Sequence, residues 1–283
     1  MAGDHDCVRI SSRRNPLVRQ LRQLHNPRGR REQQCWLLEG THLLQEVLRL
    51  ERTPQLILAT ERWRQRYPHL LKRLVGQCRV VDVSEEVLAA VATTGHPDGV
   101  VLTLNASPTL DLGDCSGLVL ALDTIQDPGN LGTLMRTALA AGADALWLAD
   151  GADPFQPKVL RASAGAALAL PLWRGDRAAL VQQLRVLLAR GSTQLVSTVP
   201  PGQQSQPYWT LDWTLPTVLM LGSEGAGLAP ELTAVATHHI TIPHSAAVES
   251  LNVAVAAAPL LLERERQQRT GVPLPLRGEN AAN

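Results

Sequence analysis

Polar side chains able to do chemistry gather in three short segments between residues 130 and 252, and the first two of these also carry glycines. They are Asn130-Leu-Gly-Thr-Leu-Met-Arg136, Leu221-Gly-Ser-Glu-Gly-Ala-Gly-Leu228 and Ile242-Pro-His-Ser-Ala-Ala-Val-Glu-Ser-Leu-Asn252. Glycine lets backbone approach a ligand closely, and a few polar groups then fix its orientation. Taken singly, each segment also reads as a capped helix, a generic βα turn or a tightly packed helix start. Gly222-Ser-Glu224-Gly-Ala-Gly227 is neither Gly-x-Gly-x-x-Gly nor Gly-x-x-x-x-Gly-Lys, so a dinucleotide fingerprint and a P-loop are not supported. Ser163 lies outside a nucleophile elbow, and no Ser-His-Asp set is evident. His238, His239 and His244 have no metal-ligand spacing.

Each segment falls where a strand should end and a helix begin, the edge at which α/β sheets hold ligands. Strands are expected at Leu118–Leu122, Ala145–Ala149, near Leu168–Leu172, and at Gln194–Val199, Thr217–Leu221 and His239–Ile242. Helices are expected at Leu131–Ala141, Pro157–Ala166, Arg177–Ala189 and Pro230–Ala236, with a terminal helix starting at Ser250 as its N-cap. Apolar strands alternating with helices argue for a parallel sheet covered on both faces. Pro259 should kink the terminal helix, at a cost of ~3 kcal/mol if unrelieved.

The first hundred residues read as a smaller alternating α/β unit. Leu17, Leu21 and Leu24 recur at helical spacing, Thr41 is the expected cap of a helix, and Gly99–Leu104 closes the series. Turn-rich residues 105–116 mark a boundary, giving domains 1–107 and 108–270 and a disordered tail at 271–283.

The 283 residues carry a net charge of only +1. The distribution is uneven: residues 1–107 hold fifteen Arg and one Lys against eleven acids, a net +5, while 108–283 come to −4. A basic front unit suits phosphates. The four cysteines form no redox or metal spacing, the expected state being reduced thiols in a cytoplasmic protein. No signal peptide or apolar run of membrane-spanning length is seen.

In order and together, the three segments resemble the signature of the SpoU (TrmH-like) branch of the SPOUT RNA methyltransferases. Asp123–Ala138 resembles the first motif, Pro157–Gly165 the segment after it, and Leu221–Leu228 and Ile242–Ala256 the second and third. Residues 8–104 resemble a small RNA-binding unit similar to a ribosomal-protein fold. The resemblance implies an α/β-knot, with a deep trefoil knot near residues 194–256, and a homodimer whose active site lies near the subunit boundary.

It further implies methyl transfer from S-adenosylmethionine (SAM) to a ribose 2′-hydroxyl, with 23S-type rRNA favoured over tRNA and no metal or membrane involved. Thr198, Gly222, Ile242 and Leu251 would line the SAM pocket. Asn130, Arg136, Glu224, Ser250 and Asn252 would form the catalytic cluster. Arg136 would bind phosphate and stabilise developing alkoxide charge, because a free guanidinium, with a pKa above ~12, hardly deprotonates. Arg13, Arg14, Arg28, Arg30 and Arg31 would contact RNA phosphates. Ser223 stands where many relatives have Asn, and His244-Ser-Ala-Ala replaces a shorter turn. The competing reading is a non-catalytic RNA-binding protein that retains the fold.

Overall fold

The computed structural model describes residues 9–74, 76–107, 109–113, 115–200 and 205–270. The expected tail at 271–283 lies outside them. The chain forms two compact units, the first built from residues up to 107 together with 153–169, the second from the remainder.

The first unit contains α1 (Pro16–Gln23), α2 (Pro27–Gln33), β1 (Cys35–Glu39), α3 (Thr41–Arg49), β2 (Leu56–Thr60), α4 (Glu61–Arg66), α5 (Pro68–Lys72), β3 (Arg79–Val83), α6 (Glu85–Val91) and β4 (Val100–Asn105). Its sheet has the order β1-β4-β2-β3, antiparallel except for the β2–β3 pair. Val18, Leu21 and Leu24 seal one face against Leu37, Leu58 and Val87, so the leucine spacing does mark a helix. Asn15 caps α1 through its side chain on the Leu17 N–H at 2.9 Å. Thr41 does not cap α3. Gly40, at φ 100°, holds that position, and the Thr41 hydroxyl instead accepts from Trp63 Nε1 at 2.7 Å. A Cβ on Gly29 would lie 2.1 Å from the Gln23 carbonyl oxygen, so α2 can pack on the end of α1 only with glycine there.

The second unit begins with β5 (Leu118–Asp123), α7 (Pro128–Ala140) and β6 (Ala145–Ala149). The chain then passes through α8 (Pro157–Ala162) and α9 (Ala166–Ala169). The sequence grouped these two helices with the C-terminal half, yet they pack in the first unit, where Phe155 stacks on Trp36 at 3.8 Å. The expected single helix is interrupted by positive φ at Ala164 and Gly165. The expected strand near Leu168 starts only at Leu172, because Ala166–Ala169 are strong helix formers.

The second unit resumes with β7 (Leu172–Gly175), α10 (Arg177–Arg190), β8 (Gln194–Thr198), β9 (Gln206–Pro207), a 3-10 turn (Tyr208–Thr210), β10 (Thr217–Leu221), α11 (Pro230–Thr233), β11 (His238–Thr241) and α12 (Val253–Thr270). Its sheet runs β7-β6-β5-β10-β8-β11-β9, and every pair is parallel. β5 and β10 are buried along their whole length, as the apolar runs require. Because all strands point one way, the loops after β5, β8, β10 and β11 emerge on the same edge of adjacent strands. All three segments follow strands on that edge.

α12 packs on α7, and Ala254, Ala257 and Leu261 are among its buried residues. It starts at Val253, not Ser250, because the Asn252 side chain accepts from the N–H groups of Ala254 at 3.0 Å and Val255 at 3.3 Å. The helix runs on through Pro259 to Thr270. Its far half is held to the turn before β10: Gln267 accepts from Trp213 N–H at 2.9 Å, and Arg264 donates to Leu215 O at 2.8 Å. No helix among the described residues is long and apolar enough to cross a membrane.

Candidate active site

A cavity of about 530 Å³ opens in the second unit between the loops that follow β8, β10 and β11. Thr198, Gly222, Ile242 and Leu251, the four positions expected to hold a cofactor, all line it. So do Glu224, Ser250 and Asn252. The volume is within the range of small-molecule sites, roughly 300–1,000 Å³.

The loop after β10 is a tight structure. Ser223 and Gly227 exchange backbone hydrogen bonds of 3.1 and 3.0 Å, and the Ser223 hydroxyl accepts from Ala226 N–H at 3.3 Å. Gly222 lies against the closing end of the loop, where a Cβ would come within 2.0 Å of the Gly227 carbonyl carbon. Gly222 therefore has a use that a generic turn would not give it: it lets the loop close on itself, and the closed loop lines the cavity.

Glu224 sits at the tip of that loop and is exposed. Its Oε1 accepts from Asn130 Nδ2 at 3.0 Å and from Asp127 N–H at 3.4 Å, and its Oε2 faces Gln126 N–H at 3.5 Å. Asn130 Oδ1 in turn accepts from Asn252 Nδ2 at 3.0 Å. Burial pushes the Glu224 carboxyl up, but the hydrogen bonds from Asn130 and from backbone N–H groups outweigh it, so the group sits below its ordinary value. It is a carboxylate held ionised, bonded to an amide rather than poised to shuttle a proton.

Asn130 is in the first turn of α7, not at its N-cap. Asp127 caps that helix, accepting from the Asn130 N–H at 2.8 Å. Ser250 lines the cavity but is exposed and caps nothing. Arg136 stands apart. It is exposed on α7, outside the cavity lining, and no hydrogen bond or ion pair engages it among the described residues. Gly132, one turn earlier on α7, is buried.

His244, which the sequence left without a role, lines the cavity. A carbonyl can only accept, so the 2.7 Å contact with Ile242 O places the proton on His244 Nδ1. Asp123 and Arg177 also escaped notice. Asp123 is 1% exposed at the end of β5 and accepts from Arg177 Nε at 2.8 Å and from Ala229 N–H at 3.2 Å. A carboxylate closing an otherwise apolar strand was the available clue.

In the first unit, Arg13, Arg14 and Arg31 are exposed, and Arg28 is exposed beside Glu32 at 2.6 Å. Arg30 must be removed from the expected phosphate-binding set. It is 5% exposed, paired with Asp153 at 2.6 Å, and donates to Leu24 O at 2.7 Å and His25 O at 2.9 Å. A guanidinium committed to those acceptors is an internal tie.

Residues 117–262 match the SpoU rRNA Methylase family, and residues 15–102 match the MRM3-like substrate binding domain. An uncharacterized tRNA/rRNA methyltransferase of Synechocystis is 44% identical over 93% of this chain and 95% of its own length. The 23S rRNA (guanosine(2553)-2′-O)-methyltransferase RlmP of Bacillus subtilis is 34% identical over 89% of this chain and 97% of its own. Among solved structures, the AdoMet-bound rRNA methyltransferase of Sinorhizobium meliloti aligns at TM-score 0.80 and 29% identity, covering 92% of this chain and 97% of that one. With more than half of its length matched by the family model, and with the three segments gathered on one edge of a parallel sheet, the chain belongs to the SpoU rRNA methylase family.

Proposed function

We propose that this protein is an enzyme that methylates a ribose 2′-hydroxyl of structured RNA using SAM, and that large-subunit ribosomal RNA in the cytoplasm is its substrate. The observation that carries the reading is the Glu224–Asn130–Asn252 chain standing at the rim of the cavity. The relatives support it: one is named for 2′-O-methylation of 23S rRNA, and a similar structure binds AdoMet.

The cavity suits SAM in size and in wall chemistry. Gly222 offers close backbone, Thr198 a hydroxyl, and Ile242 and Leu251 apolar surface for an adenine ring. When bound, SAM supplies a sulfonium methyl already activated toward an oxygen nucleophile. What remains for the protein is alignment, which can contribute up to ~7–11 kcal/mol in favourable cases. Asn130, held from both sides, can present its amide to the ribose without reorganising. Glu224 fixes that amide. Ser250, at the cavity edge, orients the target nucleotide.

Arg136 engages the phosphate beside the target and stabilises charge developing on the 2′-oxygen. Its place outside the cavity lining, with no bond to the cluster among the described residues, fits a site completed near a subunit boundary. In keeping with a homodimer, Leu251, Val255 and Leu262 are exposed apolar residues at the start and along one side of α12. The trefoil knot near residues 194–256 is part of the same reading. The first unit docks RNA through Arg13, Arg14, Arg28 and Arg31.

The test is methyl transfer from labelled SAM to ribosomal RNA, followed by ribose-methylation mapping in cells lacking the gene. Absence of SAM binding at millimolar ligand would favour the non-catalytic reading.

A further inference from the structure

We infer that Asp123, locked by Arg177, is a positioning residue that sets the distance between the turn leading into α7, which carries Asn130, and the loop that carries Glu224. This rests on the function proposed above. Asp123 ends β5, the strand beside β10. One carboxylate oxygen holds Ala229 N–H, at the foot of the glycine loop whose tip bears Glu224, at 3.2 Å. The other holds Arg177 Nε at 2.8 Å and the Thr124 hydroxyl at 3.0 Å. Just beyond Thr124, Gln126 and Asp127 offer to Glu224 the backbone N–H groups already described. One buried carboxylate therefore anchors both sides of the Glu224–Asn130 contact.

Arg177 extends the tie. Its Nη2 donates to Thr124 Oγ1 at 3.1 Å, its Nη1 lies 3.7 Å from Glu231 on α11, and its own N–H faces Asp150 Oδ2 at 3.3 Å. Thr124 (φ 57°) and Asp150 (φ 56°) are both in the left-handed region, which costs a residue with a Cβ about 1–3 kcal/mol unless its surroundings enforce it. Two such residues at adjacent strand ends, both bonded to Arg177, mark backbone held in place for the loops it supports. The carboxylate's donors are the adjoining Thr124 and, from remote segments, Arg177 and Ala229; Thr124 and Ala229 lie on the two stretches of chain that lead to Asn130 and Glu224.

Arg177 is partly exposed, so Arg177→Gln leaves a folded protein for the test. In the full-length enzyme, with SAM and large-subunit rRNA, kcat should fall roughly tenfold while the SAM Kd shifts less than about threefold. Arg177→Lys, which keeps the charge for Asp123 but cannot bridge to Thr124, should recover part of the loss. In a Glu224→Gln background, Arg177→Gln should cost nothing more, since both act through one contact. Amide exchange at Gln126, Asp127 and Ala229 should quicken in Arg177→Gln. Unchanged kcat, losses that multiply with Glu224→Gln, or unaltered exchange would each overturn the role. A wild-type protein that transfers no methyl would overturn the underlying reading and this role together, and wild-type turnover tells that case from failure of the clamp alone.

Discussion

Asn252 donates its amide to Asn130 across 122 residues of chain, and the direction of that bond is forced. Asn252 Oδ1 is taken by the first N–H groups of α12, which leaves its NH2 to give. Asn130 Oδ1 receives it, which leaves the Asn130 NH2 for Glu224, a group that can only accept. The chain is polarised from the positive end of a helix to a carboxylate, and each member fixes the next. Asn252→Ala should therefore act twice. Loss of the cap should cost about 1 kcal/mol of stability, read as a lower Tm. Freeing the Asn130 amide should lower kcat at saturating SAM beyond what the lost stability explains. Unchanged turnover would detach Asn252 from the cluster.

Asn130→Asp is the sharper change. It replaces the donor facing Glu224 with a second carboxylate, and like charges this close raise the pKa of one of them. Methyl transfer should fall steeply at neutral pH and recover partly in acid, where the pair shares a proton. A flat profile would argue against the contact.

In the wild type, Glu224 sits below the ordinary carboxylate value. A depressed acid adds stability that is present above its unfolded pKa and lost as pH falls through the folded one. Activity that needs ionised Glu224 should hold from neutrality down into the usual carboxylate range and fail only below it. Glu224→Gln should remove that acid limb from the kcat profile.

Gly222→Ala places a methyl where the Gly227 backbone lies. Overpacking of this kind costs about 1–3 kcal/mol, and because the displaced backbone is a cavity wall, the SAM Kd should rise tenfold or more. Calorimetry with SAM alone measures it, with no RNA present.

Arg136→Ala and Arg30→Ala should fail in opposite ways. The first should keep SAM binding within about twofold and lose on the order of 10²–10³ in kcat, as removal of a charge-stabilising donor does. The second breaks a buried pair with Asp153 and should cost about 3–5 kcal/mol of stability, with no change in the salt dependence of RNA binding. Charge removal at exposed Arg13 or Arg14 should reduce that salt dependence instead.

The sequence by itself determined the alternation of elements, the parallel sheet of the second unit and the three segments that meet at its edge. Those are local matters of apolar runs, caps and glycines, legible wherever neighbouring residues decide the outcome. The family resemblance singled out Thr198, Gly222, Ile242 and Leu251, and all four line one cavity. The sequence could not see that Asn252 rather than Ser250 caps α12, since both are good caps and only the contact with Asn130 separates them. It could not separate Arg30 from Arg28 and Arg31, because burial of one arginine in a basic run depends on an acid 123 residues away. Tertiary structure alone decided the roles of Asp123 and Arg177, whose partners come from strand ends remote along the chain. A hydrogen bond between distant segments leaves no period or spacing in a sequence; it exists only once the sheet has placed the loops side by side.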